Sequence, residues 1–337
     1  MEQGNGRERW PTIVTLTLNP TIDTSTTVEH VLAEHKLRCG SPHYAPGGGG
    51  INVSQAIRNL GGNTLAVYFS GGIHGEMLQR LLDQENVHHR PEPIAGETRQ
   101  SITVLEESTG QQYRFNMPGP TLAKAEWQRC LDDLATLEPA PDYLVISGSL
   151  PPGAPDDLYA HIIRIARDRG ARVILDTSGM ALRRALREKV FLIKPNLREL
   201  NMLAERTLED EAQQEAFAHS LIQRGSCEVV LVSLGAAGAS LVTHDGCRRL
   251  RAPTVPIKSK VGAGDSMVAG IVLSLARGMS VNDAASFGIA AGSAAVMTPG
   301  SALCRREDTE RLYQRIHANH VPLHADFKAR PPIHEVV

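Results

Sequence analysis

The sequence predicts an α/β fold, a mostly parallel sheet between helices with a small β-sheet lid. Short β-branched runs recur along the chain without the polar alternation of a half-exposed sheet, as in strands buried on both faces. Helical patterns separate these runs, so strand and helix alternate. Two stretches, residues 24–46 and 94–117, break that rhythm with alternating segments and no helix, and a separate small sheet over the edge of the main one is expected there.

Taken in order, Thr12 to Leu18 alternates apolar and Thr residues and stops at Asn19-Pro20, a strand ending at a turn. Further strands are expected at Leu65–Phe69, Tyr143–Ser147, Arg172–Asp176, Val190–Ile193 and Val229–Ser233, and a strand-like segment at 254–257. Helices are expected over Ile51–Leu60, Gly75–Gln84, Ala123–Leu137, Pro155–Asp168, Arg198–Ala204 and Glu211–Arg224. The lid segments carry the alternating runs Gln100–Leu105 and Gln112–Met117. One domain over 12–318 is expected, followed by a loosely packed tail, 319–337, that loses periodicity and gains Pro and His. A chain of 337 residues can hold one large α/β domain with such an excursion.

Hydrophobic residues make up 42% and charged residues 21%, as in soluble globular proteins. The formal net charge of −2 gives no whole-chain attraction to nucleic acid or an anionic membrane, so any basic site has to be local. Residues 1–11 lack the apolar core of a signal peptide, and no stretch reaches the length of a membrane span. The five cysteines, Cys39, Cys130, Cys227, Cys247 and Cys304, are scattered, odd in number and never in a CxxC pair. Reduced thiols in a cytoplasm are expected.

The chemistry gathers around Gly262-Ala263-Gly264-Asp265, a glycine-rich turn opening the apolar run Ser266–Leu275. The free N–H groups and positive dipole end of a helix start favour an anion there. A carboxylate facing that anion hole is placed to take a proton from a hydroxyl attacking a phosphoryl group. Taken alone the motif reads more simply as a helix cap; its companions change the balance. Lys194-Pro195-Asn196 with Glu199 follows one strand, and Asn196 and Glu199 are oxygen ligands suited to a hydrated Mg²⁺ near nucleotide phosphates. Ser233-Leu234-Gly235 with Gly238 follows another. The run Gly47-Gly48-Gly49-Gly50 before Ile51-Asn52 is entropically costly unless something must approach the backbone, and a sugar or phosphate is the natural candidate beside a flexible hinge. No Gly is followed by Lys, which excludes a Walker A loop, and no GxGxxG joins an early strand to its helix.

Together with Asn19-Pro20 and Asp23, and with Val261 before the glycine turn, these motifs resemble the PfkB carbohydrate kinase family from about residue 12 to about 316. The resemblance implies a ribokinase-like fold whose β lid often clasps a second copy as a homodimer. Within the family, Leu37-Arg38-Cys39, Thr98-Arg99-Gln100, Gln112-Tyr113-Arg114-Phe115 and Ser147-Gly148-Ser149-Leu150-Pro151-Pro152-Gly153 look most like the 6-phosphofructokinase branch. Fructose-1-phosphate and tagatose-6-phosphate kinases usually carry Lys where this chain has Gly49. The implied activity is ATP-dependent phosphorylation of fructose 6-phosphate to fructose 1,6-bisphosphate. Kinases for the other two phosphosugars are the alternatives, and a sugar sensor without turnover is a distant one.

By this resemblance Asp265 is the base, with Gly262, Ala263 and Gly264 as the anion hole. Asp23, Gly48, Gly49, Asn52 and Ser149 bind the sugar, Arg38 and Arg99 hold its phosphate, and Lys36 lies near a sugar phosphate or a second nucleotide. Lys194, Asn196, Ser233, Gly235, Gly238 and Ser259 contact ATP. Asn196 and Glu199 serve Mg²⁺, and K⁺ is a candidate monovalent ion. The chain departs from the branch twice. Lys260 stands where Thr or Ser is common, so its ammonium either contacts nucleotide phosphate or disturbs a monovalent-cation site. Leu32 replaces a tyrosine associated with inhibitory nucleotide, which puts allosteric inhibition by ATP in doubt.

Overall fold

The computed structural model describes residues 12–300 and 302–318; the expectations for segment 1–11 and for the tail 319–337 lie outside them. The chain begins with β1 (Ile13–Thr17), β2 (Thr21–Val28), β3 (His43–Gly47), α1 (Gly49–Asn59), β4 (Leu65–Ser70), α2 (Gly72–Gln84) and β5 (His89–Pro93). Next come β6 (Arg99–Glu106), β7 (Gln112–Asn116), α3 (Lys124–Thr136), β8 (Tyr143–Ser147), α4 (Leu158–Asp168), β9 (Arg172–Asp176), α5 (Gly179–Ala185) and β10 (Val190–Ile193). The last part holds α6 (Leu197–Ala204), α7 (Glu211–Gln223), β11 (Cys227–Ser233), β12 (Ala239–Thr243), β13 (Gly246–Leu250), α8 (Ala263–Ala276), α9 (Val281–Ala295) and α10 (Arg306–Ala318).

Nine strands form the main sheet in the order β13-β12-β11-β10-β9-β8-β1-β4-β5. All its pairings from β5 to β11 are parallel, and β12 and β13 run antiparallel at one edge. Because β1 and β8 are buried at every position, the sheet must be covered on both sides. Val14 and Leu16 enter one core with Ile162, Ile163 and Leu221, beneath α4 and α7. Ile13 enters the other with Val53, Ile271 and Ala290, beneath α1, α8 and α9. A third cluster, Ile22, Ile51, Tyr68, Leu78 and Leu82, joins the base of the lid to α1 and α2.

The lid is a separate four-stranded sheet, β3-β2-β6-β7, as the two interrupted stretches predicted. Its central pair is parallel, with Asp23 opposite Ser101 and Thr21 opposite Arg99. Alternation places Asp23, Ser101 and Asn116 in one row and Tyr44, Thr24, Ile102 and Phe115 in the next, on the opposite face.

One expectation is corrected. Residues 254–257 form no strand, because Pro253 and Pro256 remove the amide donors that a ladder needs. The glycine run is also required by the protein's own packing. A Cβ at Gly49 would lie 2.2 Å from Ser147 Oγ, and one at Gly50 would lie 2.7 Å from the Leu16 carbonyl oxygen. The close approach that demands glycine is thus made by the protein's own strand ends, which seat the start of α1 against β1 and β8.

Candidate active site

Strands β1, β8, β9, β10 and β11 run parallel, so their C-terminal ends open on one edge, the usual position of a site in such a sheet. Onto this edge face the N-termini of α1 and α8. Gly262 caps α8 with φ 72°, a left-handed conformation that glycine adopts without strain. Its carbonyl takes the first helical bond, from Ser266 N–H at 2.8 Å. Among the described residues the amides of 263–265 have no acceptor, which leaves three donors pointing into the opening.

Asp265 lies in that first turn, and Asn52 Nδ2 donates to its Oδ2 at 2.8 Å. The tight seating of α1 fixes Asn52, and Ile51 N–H adds a bond to Thr17 Oγ1 at 2.9 Å. Burial raises the Asp265 carboxyl to about 6, and the charge of Asp176 pushes the same way; Asn52 and Lys194 oppose them. A carboxylate poised near neutrality beside free amides can accept a proton while an adjacent group gains negative charge.

Lys194, at the end of β10, is buried, and its Nζ lies 3.2 Å from Asp176 Oδ1. Asp176, Glu199 and Asp265 all act on this one ammonium. Asn196 and Glu199 form a capping box at the start of α6: Glu199 N–H donates to Asn196 Oδ1, and Asn196 N–H to Glu199 Oε2, both at 2.9 Å. The cap engages one oxygen of Glu199, whose carboxyl is raised by burial and, after the opposing Asn196 bond, by Asp176. Among the described residues no cluster of three or more His, Cys, Asp or Glu forms an all-protein metal site. Hard oxygens in excess of local positive charge fit a divalent cation held largely by water and phosphate.

A cavity of about 490 Å³ lies between the β11–β12 turn and the pair α8 and α9. Ser233, Gly235 and Gly238 line it with Val255, Ile257, Met267, Ile289, Lys260 and Gly264. Ser259 is buried behind this wall, its Oγ accepting from Val261 N–H at 3.2 Å.

On the lid side, burial raises the Asp23 carboxyl to about 6 against the pull of Arg99, Thr21 and Arg114. Arg99 Nη2 donates to the Asn19 carbonyl at 3.1 Å, which holds the guanidinium at the lid hinge. Asn19 Nδ2 in turn donates to Ser149 Oγ at 3.1 Å. Gly48, with φ 119°, sits against Thr17 and Pro20. Lys36 and Arg38 are exposed on the 29–42 connection between β2 and β3 and make no hydrogen bond or ion pair among the described residues. The structure therefore gathers Asp23, Asn52, Arg99, Ser149 and Gly48–Gly49 at one end of the opening and the cavity residues of the β11–β12 turn and α8 at the other, and leaves Lys36 and Arg38 apart. Sequence reasoning gives no site role to Asp176 or Thr17 and reads Arg114 only as part of the branch likeness. For Asp176 a signal existed, a strand ending in a carboxylate at the sheet's C-terminal edge. Arg114 pairs across from Thr103, two positions beyond Ser101, and so shares the Asp23 face.

The pfkB family carbohydrate kinase signature matches residues 16–308. The protein named ATP-dependent 6-phosphofructokinase isozyme 2 of Mycobacterium tuberculosis H37Rv is 45% identical over 304 residues, spanning 90% of this chain and 89% of its own. The Escherichia coli K12 protein of the same name is 41% identical over 302 residues, 89% of this chain and 97% of its own. The crystal structure of phosphofructokinase-2 from Escherichia coli in complex with potassium matches with a TM-score of 0.88 at 40% identity, over 91% of this chain and 99% of that one.

Proposed function

We propose, from the premise that this chain belongs to the pfkB family of carbohydrate kinases, that it is an ATP-dependent 6-phosphofructokinase converting fructose 6-phosphate to fructose 1,6-bisphosphate. The observation that carries the chemistry is the Asp265 carboxylate, hydrogen-bonded by Asn52 and flanked by three free amides of α8. Asp265 accepts the proton of the sugar 1-hydroxyl as that oxygen attacks the γ-phosphoryl group. The amides of 263–265 hold the equatorial oxygens of the group in transfer, which is mainly a matter of position and charge. Lys194, fixed by Asp176, adds a positive charge beside Gly264.

Asn196 and Glu199 would hold Mg²⁺ through water, and the ion would neutralise charge on the ATP phosphates. The potassium complex of the Escherichia coli relative supports K⁺ as a monovalent partner. Asp23, Gly48, Gly49, Asn52 and Ser149 bind sugar hydroxyls, and Arg99 with the more remote Arg38 and Lys36 meets the sugar phosphate. Ser233, Gly235, Gly238 and Ser259 shape the nucleotide side. The lid face opposite Asp23, with exposed Tyr44 and Phe115, supports a homodimer clasped through the lids, and 12–318 is one catalytic domain. We place the enzyme in the cytoplasm, in keeping with its unpaired thiols; among the described residues no helix is long and apolar enough to cross a membrane.

The substrate follows from Gly49. With no lysine there, phosphate recognition rests on the lid, which leaves the 1-hydroxyl as acceptor. At fixed Mg-ATP, kcat/KM is expected to be higher for fructose 6-phosphate than for fructose 1-phosphate. Tagatose 6-phosphate, differing at one ring hydroxyl, should retain some activity, since rejection is strong only where a buried partner is left unpaired. A higher value for fructose 1-phosphate would overturn the branch while leaving the kinase in place. A second expected result concerns the lid: Arg99→Ala should raise KM for the phosphosugar by about 10- to 100-fold with little change for ATP, the loss of one charge-assisted bond. A fall in ATP affinity at constant sugar affinity would instead place Arg99 in the nucleotide pocket.

A further inference from the structure

We propose that Lys260 is a phosphate-binding residue of the nucleotide pocket and sets the preference for a phosphorylated nucleotide over the bare nucleoside. The inference rests on the reading of the 490 Å³ cavity as the ATP site. Among the residues lining that cavity Lys260 alone is charged. Val255, Ile257, Met267, Ile289 and Val296 give the cavity an apolar wall suited to a flat ring. Lys260 and Gly264 mark the side where the free amides of α8 begin, so the apolar wall gives way to hydrogen-bond donors toward Asp265.

Lys260 is exposed and has no hydrogen bond or ion pair among the described residues. The other ammonium near the anion hole, Lys194, is already paired with Asp176 at 3.2 Å. Three carboxylates, Asp176, Glu199 and Asp265, act on Lys194, so a polyphosphate entering here meets local negative charge. An unpaired ammonium on the cavity wall offsets it. The backbone beside Lys260 is also anchored. Lys258 and Ser259 both donate to the Val296 carbonyl, at 2.8 and 3.3 Å, and Ser259 Oγ accepts from Val261 N–H. The lysine therefore projects from a fixed stem, and an ordinary solvated surface lysine needs no such anchoring.

Calorimetric titration of the full chain with Mg-ADP and, separately, with adenosine tests the proposal in wild type, Lys260→Met and Lys260→Arg. Lys260→Met should weaken Mg-ADP by about 10-fold or more, the usual worth of a charge-assisted bond, and leave adenosine unchanged. Lys260→Arg should keep most of the affinity, and the salt dependence of ADP binding should fall in the Met variant. Unchanged ADP affinity beside intact adenosine binding overturns the proposal. Equal weakening of both ligands also overturns it, since Lys260 would then shape the pocket without holding phosphate. If wild type binds neither ligand, the cavity is not the nucleotide site, and that reading falls together with the proposal.

Discussion

Asp265→Asn is expected to lower kcat by about 10²–10⁴-fold while sugar and ATP still bind, the usual contribution of a positioned base. Asparagine keeps the volume of the side chain and an oxygen for Asn52, so the geometry of α8 survives and only the proton acceptor is lost. The wild-type pH profile gives a second reading of the same group. A carboxyl raised to about 6 is ionised above that value, so kcat/KM should hold on the alkaline side and fall as pH drops through about 6. The residual activity of the Asn variant should lose the part of this acid limb due to Asp265 and keep that of Asp23, whose carboxyl is also raised to about 6. Near-normal turnover in the variant, with an unchanged circular dichroism spectrum, would remove Asp265 from the mechanism.

Lys194→Met should destabilise the protein by about 3 kcal/mol, the low end for breaking a buried ion pair because the cleft side of Asp176 still meets water. The lysine is only 6% exposed and carries the charge balance for Asp176, Glu199 and Asp265. Its removal leaves three carboxylates close together with no cation. Adding Asp176→Asn should recover part of the loss, because it removes the carboxylate that sits 3.2 Å from the missing ammonium and leaves Glu199 and Asp265. Urea midpoints at constant m-value measure the four proteins of the cycle: wild type, Lys194→Met, Asp176→Asn and the double variant. Strictly additive losses would show that the two side chains are not energetically coupled.

Much of the architecture was legible because each parallel strand is a short β-branched run buried on both faces, as in Tyr143–Ser147, and the helices between them carry an apolar stripe. The lid was legible from alternation without helices. Other elements left weaker marks. Strand β5 contains Pro91 and Pro93 and is tolerated only because it lies at the sheet edge. Helix α9 is buried almost all round with small residues such as Ala290, Gly292 and Ala294, so it shows little amphipathic contrast. The segment 254–257 reads as a strand on composition, and Pro253 before it with Pro256 within it decide otherwise. In the site, motifs continuous in sequence, such as 194–199 and 262–265, were readable. The Lys194–Asp176 pair joins neighbouring strands and leaves no local signature. The glycine run stands out for its conformational cost, yet the atoms that require it belong to Ser147 and Leu16, about 100 and 30 positions away along the chain.

The two ends of the opening are built from different parts of the chain. Asp23 and Arg99 stand on the four-stranded sheet, whereas the apolar cavity and Lys260 belong to the β11–β12 turn and the α8–α9 pair, and the halves meet at the hydrogen bond between Asn52 and Asp265. Such a division makes the scaffold modular in its heredity. Substitutions on the lid strands can retune which acceptor is admitted without disturbing the donor-binding half, and a grafted lid could give the same phosphoryl-donor machinery a new sugar.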